Sequence, residues 1–179
     1  MTSRADDLAR MTVLDADRTP IELGELWRDG TAVLVFVRHF GCILCRDHVA
    51  ALSRRRDELA AAGATLHIIG NGSPSFIDGF RDALGYDGTI YTDPSLEVYR
   101  AAGLKRGVTT VFNLRAAGAA LSALRHGQRQ GRTQGDNWQQ GGVLVVSPAG
   151  EILWSHVSGY AGDNAAPDAI LAALRARAA

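Results

Sequence analysis

Cys42 and Cys45 are the only cysteines in this chain, and they form a single Cys-x-x-Cys within Phe40-Gly41-Cys42-Ile43-Leu44-Cys45-Arg46. The apolar run Ala32-Val33-Leu34-Val35-Phe36-Val37 ahead of them reads as a buried strand, and the residues behind them read as a helix. Thiol redox chemistry needs a thiolate, and a strand-to-helix junction favours one. The first-turn N–H groups and the positive end of the helix dipole face the first sulfur. A free thiol has a pKa of about 8.5, which such surroundings lower to roughly 3.5–7.5. The second sulfur lies one turn further on, so a disulfide can close once the first has been oxidised. Arg38, His39 and Arg46 flank the pair and can add positive charge, and His39 can also relay a proton. Cys42, Cys45, Arg38 and His39 are therefore the candidate catalytic residues.

Other chemistries fit less well. Cys42, Cys45 and His48 could share one side of a helix, but a structural zinc site needs four protein ligands, and no second Cys-x-x-Cys or His pair exists. Arg46 follows Cys45, where c-type haem attachment requires His. No Gly-x-Gly-x-x-Gly follows a strand, so a nicotinamide site is unsupported. Neither a cofactor nor a metal is expected. The remaining histidines are scattered: His67 reads as a core residue, His48 as packing or surface, and His126 and His156 lack an evident partner. The run Arg54-Arg55-Arg56 reads as a solvated helix face. Arg125, Arg129 and Arg132 sit near a polar segment, and Trp138 could cover the site or anchor that segment.

The elements that position the cysteines are legible in outline. A length of 179 residues suits a single domain over residues 1–179, and 46% hydrophobic with 21% charged residues suits a globular chain with a proper core. Nineteen basic residues balance nineteen acidic ones, which gives no electrostatic case for nucleic acid or an anionic membrane. No apolar run approaches the ~20 residues of a membrane helix. The N-terminus lacks the apolar core of a signal peptide, so a cytoplasmic location is expected. In that reducing compartment an isolated Cys-x-x-Cys is redox-active sooner than structural. Residues 11–14 and 20–23 read as a hairpin, 24–27 as a helical turn and 31–37 as the strand into the site. A helix follows from the cysteines to residue 62. Residues 65–69 read as a second buried strand, and Ser73-Pro74 as the start of a helix to residue 84. A strand at 89–92, a small helix to 102, a helix over 109–124, a long loop at 126–140, a hairpin at 142–157 and a helix at 167–178 complete the order. The alternation predicts a mostly parallel sheet covered on both faces, made mixed by the last hairpin.

These pieces resemble the thioredoxin fold and, within it, the alkyl hydroperoxide reductase/thiol-specific antioxidant (peroxiredoxin) family. The resemblance is carried by Phe40-Gly41-Cys42-Ile43-Leu44-Cys45, by Ile68-Ile69-Gly70 ahead of a Pro-Ser-Phe helix, by Tyr91-Thr92-Asp93-Pro94-Ser95, and by the hairpin from Gly142 through Ser147-Pro148-Ala149-Gly150. The wording Arg-His-Phe-Gly-Cys-x-x-Cys-Arg is closest to the peroxiredoxin-like 2 group. The resemblance implies an α/β, three-layer α/β/α sandwich with a mixed central sheet and an N-terminal β extension. Two departures stand out. Against the typical Pro-x-x-x-Thr-x-x-Cys, Arg38 occupies the proline position, Cys42 the threonine position and Cys45 the peroxidatic position. Where thioredoxins place a cis-proline, this chain has Gln139-Gln140-Gly141-Gly142.

The expected function is a thiol oxidoreductase whose Cys42/Cys45 couple reduces a peroxide or disulfide. An external dithiol, such as a thioredoxin-like protein, then re-reduces the couple. A possible homodimer completes the expected partners. A thioredoxin-like mode makes Cys42 an exposed nucleophile and Cys45 the resolving thiol, whereas alignment with peroxiredoxins makes Cys45 the sulfur that meets peroxide; helix geometry favours Cys42. The alternative is a non-enzymatic redox sensor or interaction protein whose disulfide switches the long loop.

Overall fold

A computed structural model describes residues 3–107 and 134–178. The expected helix at 109–124, His126, Arg125, Arg129, Arg132 and most of the 126–140 loop lie outside the described residues. Eight described strands form one sheet: β1 (Ser3–Arg4), β2 (Thr12–Leu14), β3 (Pro20–Glu22), β4 (Thr31–Phe36), β5 (Ala64–Gly70), β6 (Thr89–Thr92), β7 (Gly142–Val146) and β8 (Glu151–Val157), in the spatial order β1-β8-β7-β4-β5-β6-β2-β3. The described helices are α1 (Asp6–Ala9), α2 (Ile43–Ser53), α3 (Arg56–Ala61), α4 (Ile77–Leu84), α5 (Glu97–Ala101) and α6 (Pro167–Ala178), with 3-10 turns at Leu23–Trp27 and Pro74–Phe76. None of them is long and apolar enough to cross a membrane.

Strand β4 is central because it is apolar on both faces. Val33 and Val35 join a core under α2, α3, α4 and α6 with Val49, Leu52, Phe80, Ile170 and Leu171. Ala32, Leu34 and Phe36 join the opposite core with Leu8, Trp27, Val98 and Tyr99. Such two-sided burial is what a near-continuous Val/Leu run predicts. The three-layer arrangement follows from it.

The sheet is less parallel than expected. Only the pairs β4–β5 and β5–β6 are parallel. The β4–β7, β7–β8, β1–β8, β2–β3 and β2–β6 pairs are antiparallel. The N-terminal segment accounts for the difference: β1 pairs with β8 at one edge, while the β2–β3 hairpin joins β6 at the other through Leu14 and Thr92. The helix expected from the cysteines to residue 62 is also broken into α2 and α3. At the break the Arg55 N–H bonds the Leu52 carbonyl, a tighter i→i−3 link. Arg55 pairs with Glu58 and Asp168, and Arg56 pairs with Asp87 above the Tyr86 ring. The arginine run thus stays on a solvated face, with Arg55 and Arg56 ion-paired there. At the next helix, Ser73 Oγ accepts from the Ser75 N–H with Pro74 at the first position, as its residue types predict.

The topology brings three strand ends together. The ends of β4 and β5 and the start of β7 meet beside the head of α2, since Phe36 pairs with both Ile69 and Gly142. Phe40 packs on this platform, its ring 5.1 Å from that of Phe80. A Cβ at residue 70 would overlap the Phe40 ring, so glycine there lets the turn before Cys42 lie flat on β5. Gly70→Ala is expected to cost about 1–3 kcal/mol of stability by overpacking. A chemical denaturation curve checks this, and a midpoint equal to that of the native chain would contradict it.

Candidate active site

Cys42 is the N-cap residue of α2, with extended backbone (φ −74°, ψ 117°). The turn before it is closed by the Cys42 N–H on the His39 carbonyl (3.1 Å), and the helix opens with the Arg46 N–H on the Cys42 carbonyl (3.1 Å). This geometry aims the backbone N–H groups of Leu44 and Cys45 at the Cys42 sulfur. The two cysteines approach to 3.0 Å, both as free thiols. The expected exposure of Cys42 does not hold: it is 2% exposed and Cys45 is 4% exposed. Apolar strand ends and the turn over Gly70 enclose them. Substrate therefore reaches either sulfur only when neighbouring side chains move.

The two thiols are electrostatically unequal. The Cys42 pKa is drawn down to about 6: the Cys45 thiol donates to its sulfur, which outweighs burial, and the Arg38 guanidinium and first-turn N–H groups add to the effect. The Cys45 thiol is pushed well up by burial and by the neighbouring Cys42 sulfur. Of the two sulfurs, Cys42 is thus the one its surroundings favour as the thiolate.

Arg38 touches both sulfurs. Its guanidinium Nη1 lies 3.8 Å from Cys42 Sγ, and its backbone N–H donates to Cys45 Sγ at 3.3 Å. Nη2 donates to the Asn137 carbonyl at 2.8 Å. Arg38 sits at the end of β4, where the chain leaves the sheet, so its backbone and side chain both face the site. His39 is also brought to the site, but not as a cation. Its ring is buried, and burial together with Arg38 and Arg46 lowers its pKa to about 4. The charge expected of His39 is therefore absent at neutral pH. Arg46 directs its Nε to the Phe40 carbonyl (3.3 Å) and so braces the turn.

His48 is held by the segment before α6; its ring Nε2 lies 2.9 Å from the Ala165 carbonyl. Together with Cys45, Ser158 and Asn164 it lines a cavity of about 10 Å³, room for roughly one water molecule. Among the described residues no three His, Cys, Asp or Glu side chains gather as a metal site. His67 is buried on β5, with Nδ1 2.7 Å from Thr89 Oγ1. His156 meets Asp163 and stacks on Trp154. Trp138 is 37% exposed, beside the loop that receives Arg38.

Burial of His39, His48 and His67 carries a pH dependence. Each folded-state pKa lies near 4, below the ordinary 6.5. Between these values the unfolded chain binds protons that the folded chain refuses, so folding stability falls as pH drops from 6.5 towards 4. Urea midpoints measured across that window are expected to decline steadily. A flat profile would contradict the burial of these rings in neutral form.

Several site residues were not singled out from sequence. Tyr99, on α5, places its hydroxyl 2.7 Å from the Val37 carbonyl and 2.8 Å from that of Ile69, joining the ends of β4 and β5 directly beneath the site. Burial pushes the Tyr99 pKa up, so it stays a neutral donor. Asp93 holds Tyr99 in place by accepting from the Val98 N–H at 2.8 Å. Asn71, at the end of β5, and the loop at 134–140 complete the surroundings. The Gly70-Asn71-Gly72 turn, ending the strand beside β4, was the available signal for Asn71.

Comparisons with known proteins give the family. A family model described as "AhpC/TSA antioxidant enzyme" matches residues 51–159, a span that starts just after the cysteines. The chain is 35% identical over 178 residues to the Arabidopsis thaliana "Thioredoxin-like protein AAED1, chloroplastic", covering 94% of this chain and 72% of that protein. It is 36% identical over 160 residues to the Homo sapiens "Peroxiredoxin-like 2C", covering 83% and 70%. In fold it is similar to the crystal structure of the peroxidoxin BcpB from Mycobacterium tuberculosis, with a TM-score of 0.69 at 21% identity over 93% of this chain and 92% of that one. The three-layer sandwich with a mixed sheet, the thiol pair at the helix start and these relatives lead to one assignment: the chain belongs to the AhpC/TSA antioxidant enzyme family, on the peroxiredoxin-like branch.

Proposed function

We propose that the chain is a thiol-dependent oxidoreductase that reduces a peroxide at Cys42, with Cys45 as the resolving thiol. The observation that supports this best is geometric: Cys42 caps the head of α2 with the Arg38 guanidinium 3.8 Å from its sulfur, and Cys45 lies 3.0 Å away. Family membership favours a peroxide as substrate. In the first step the Cys42 thiolate attacks one peroxide oxygen and the O–O bond breaks. Cys42 becomes a sulfenic acid, and the departing oxygen takes a proton from water to leave as an alcohol. The Cys45 sulfur then attacks the Cys42 sulfur, and the hydroxyl leaves as water with the Cys45 proton. The sulfurs need only close from their present approach to the ~2.05 Å of a disulfide. An external dithiol supplies two electrons and two protons to restore the pair. A disulfide substrate would pass through the same couple as a mixed disulfide with Cys42.

Arg38 supports the thiolate before attack and faces the oxygen that forms on its sulfur. Burial of both sulfurs favours a small peroxide over a bulky one. A reducing cytoplasm fits a chain whose sole cysteines are this pair. The other reading, a redox sensor, draws on the same burial, because a disulfide beneath Arg38 would disturb the loop that Arg38 holds. Peroxide consumption in the presence of a thioredoxin-type dithiol separates the two. Many turnovers per chain are expected, and a single stoichiometric oxidation would favour the sensor instead.

A further inference from the structure

We propose that Asn71 is the positioning residue of the dithiol site: it fixes Arg38 on the two sulfurs by tying the end of β4 to the loop at 134–137. This proposal rests on the Cys42 reading above and deepens it. Asn71 is buried, and its one amide group serves both partners. Nδ2 donates to the Arg38 carbonyl at 2.5 Å. Oδ1 accepts from the Asp136 N–H at 3.0 Å, and Nδ2 also lies 3.4 Å from the Asp136 carbonyl. The next carbonyl along, that of Asn137, accepts from Arg38 Nη2. The bonds form a closed ring: Asn71 to the Arg38 backbone, the Arg38 side chain to Asn137, and the Asp136 backbone back to Asn71.

Each link in the ring bears on sulfur. The Arg38 N–H that meets Cys45 belongs to the residue whose carbonyl Asn71 holds. The guanidinium that meets Cys42 is oriented by the carbonyl of Asn137, the residue after the one whose N–H Asn71 accepts from. Neither aspartate nor serine reproduces this. A carboxylate would set oxygen against the Arg38 carbonyl, and a hydroxyl is too short to reach both partners.

The loop is shaped to the amide. Gly135 has φ +131°, and a Cβ there would overlap Asn71 Oδ1. A Cβ at Gly72 would overlap the Gln134 carbonyl. Two glycines thus let the loop rest directly on the Asn71 turn. Arg106 clamps its far side through Asp136 at 2.7 Å, and Asp136 Oδ1 accepts from the Trp138 N–H at 2.7 Å. With the loop anchored on both sides, Asn137 presents a fixed carbonyl to Arg38.

The test follows the rate of Cys42 alkylation by iodoacetamide from pH 4 to 10 in the native chain, Asn71→Ala and Gly135→Ala, with circular dichroism on each. All three carry a Cys45→Ser background so that one thiol is read. In both variants the midpoint is expected to rise above that of the background chain by about one pH unit, with the plateau rate at high pH unchanged. Adding Asn71→Ala to Arg38→Met is expected to move the midpoint no further than Arg38→Met alone, because Asn71 acts through that side chain. A merely structural role would lower stability without moving a midpoint. Unmoved midpoints in folded variants overturn the proposal, as does an additive effect in the double variant. If Asn71→Ala does not fold, the exposed Gly135→Ala decides alone. A chain with both cysteines intact in which peroxide never oxidises Cys42, by contrast, would count against the Cys42 reading itself, so the two failures are distinguishable.

Discussion

Replacing Cys42 by serine is expected to lower peroxide turnover by on the order of 10³-fold or more, because a hydroxyl cannot supply the nucleophile that the first step needs. Replacing Cys45 by serine is expected to act differently. The Cys42 sulfur still stands at the head of α2 and still faces Arg38, so the first oxidation by peroxide should survive. Turnover should stop after one equivalent, because no second thiol lies beside the sulfenic acid. A stopped-flow assay of each variant, with excess peroxide and a thioredoxin-type donor, separates burst from steady state. A burst without turnover is expected for Cys45→Ser and neither for Cys42→Ser. The reverse pattern would transfer the nucleophile to Cys45, as the peroxiredoxin alignment of the two positions suggests.

The second large effect concerns Arg38. Its guanidinium lies 3.8 Å from Cys42 Sγ within a buried site, where a neighbouring cation favours the thiolate by one to three pH units in general. Arg38→Met keeps the backbone N–H on Cys45 and removes the charge. The Cys42 ionisation midpoint is expected to rise by about one to two pH units. The sign follows directly: at pH 7 a thiol with its midpoint near 6 is mostly thiolate, and one near 8 is mostly protonated. Reactivity should therefore fall about tenfold at pH 7 and recover by pH 9. Arg38→Lys is expected to restore only part of the loss, since a single ammonium cannot hold the Asn137 carbonyl and the sulfur in the fork geometry of a guanidinium. The pH profile of peroxide reduction checks this, and a uniform loss at every pH would contradict it.

The parts of the fold that depend on period and punctuation were legible from sequence. The Val/Leu run of β4, the Ser73-Pro74 helix start, the last hairpin and the final helix carry local signals, and all stand where those signals place them. The pairing of the N-terminal strands was not legible. Ser3–Arg4 is too short to show a pattern, and its partner β8 lies nearly the whole chain away. The break between α2 and α3 was hidden because Arg54-Arg55-Arg56 are all good helix formers; around it Arg55 pairs with Glu58 and Asp168, and Arg56 with Asp87, and of these partners only Glu58 is near in sequence.

The candidate site divides in the same way. Cys42, Cys45 and Arg38 are near neighbours in sequence, so their meeting follows from one strand and one helix. Their burial does not, because it depends on the start of β7 and the turn at Gly70 closing over them. His39 illustrates the limit. Its position beside the cysteines suggested a charge, but only the packing reveals a ring too deeply buried beside two arginines to hold one. Asn71, Tyr99 and Asn137 come from distant segments and act through one side-chain amide, one hydroxyl and one backbone carbonyl, which leave no spacing signature.

The central claim is that Cys42 and Cys45 exchange electrons as a pair, beginning at Cys42. Peptide mapping by mass spectrometry after one equivalent of peroxide tests it most directly. A Cys42–Cys45 disulfide is expected in the native chain and, in Cys45→Ser treated with a sulfenic-acid probe, label on Cys42. Two unlinked cysteines after oxidation, or label on Cys45 in Cys42→Ser together with none on Cys42 in Cys45→Ser, would contradict it.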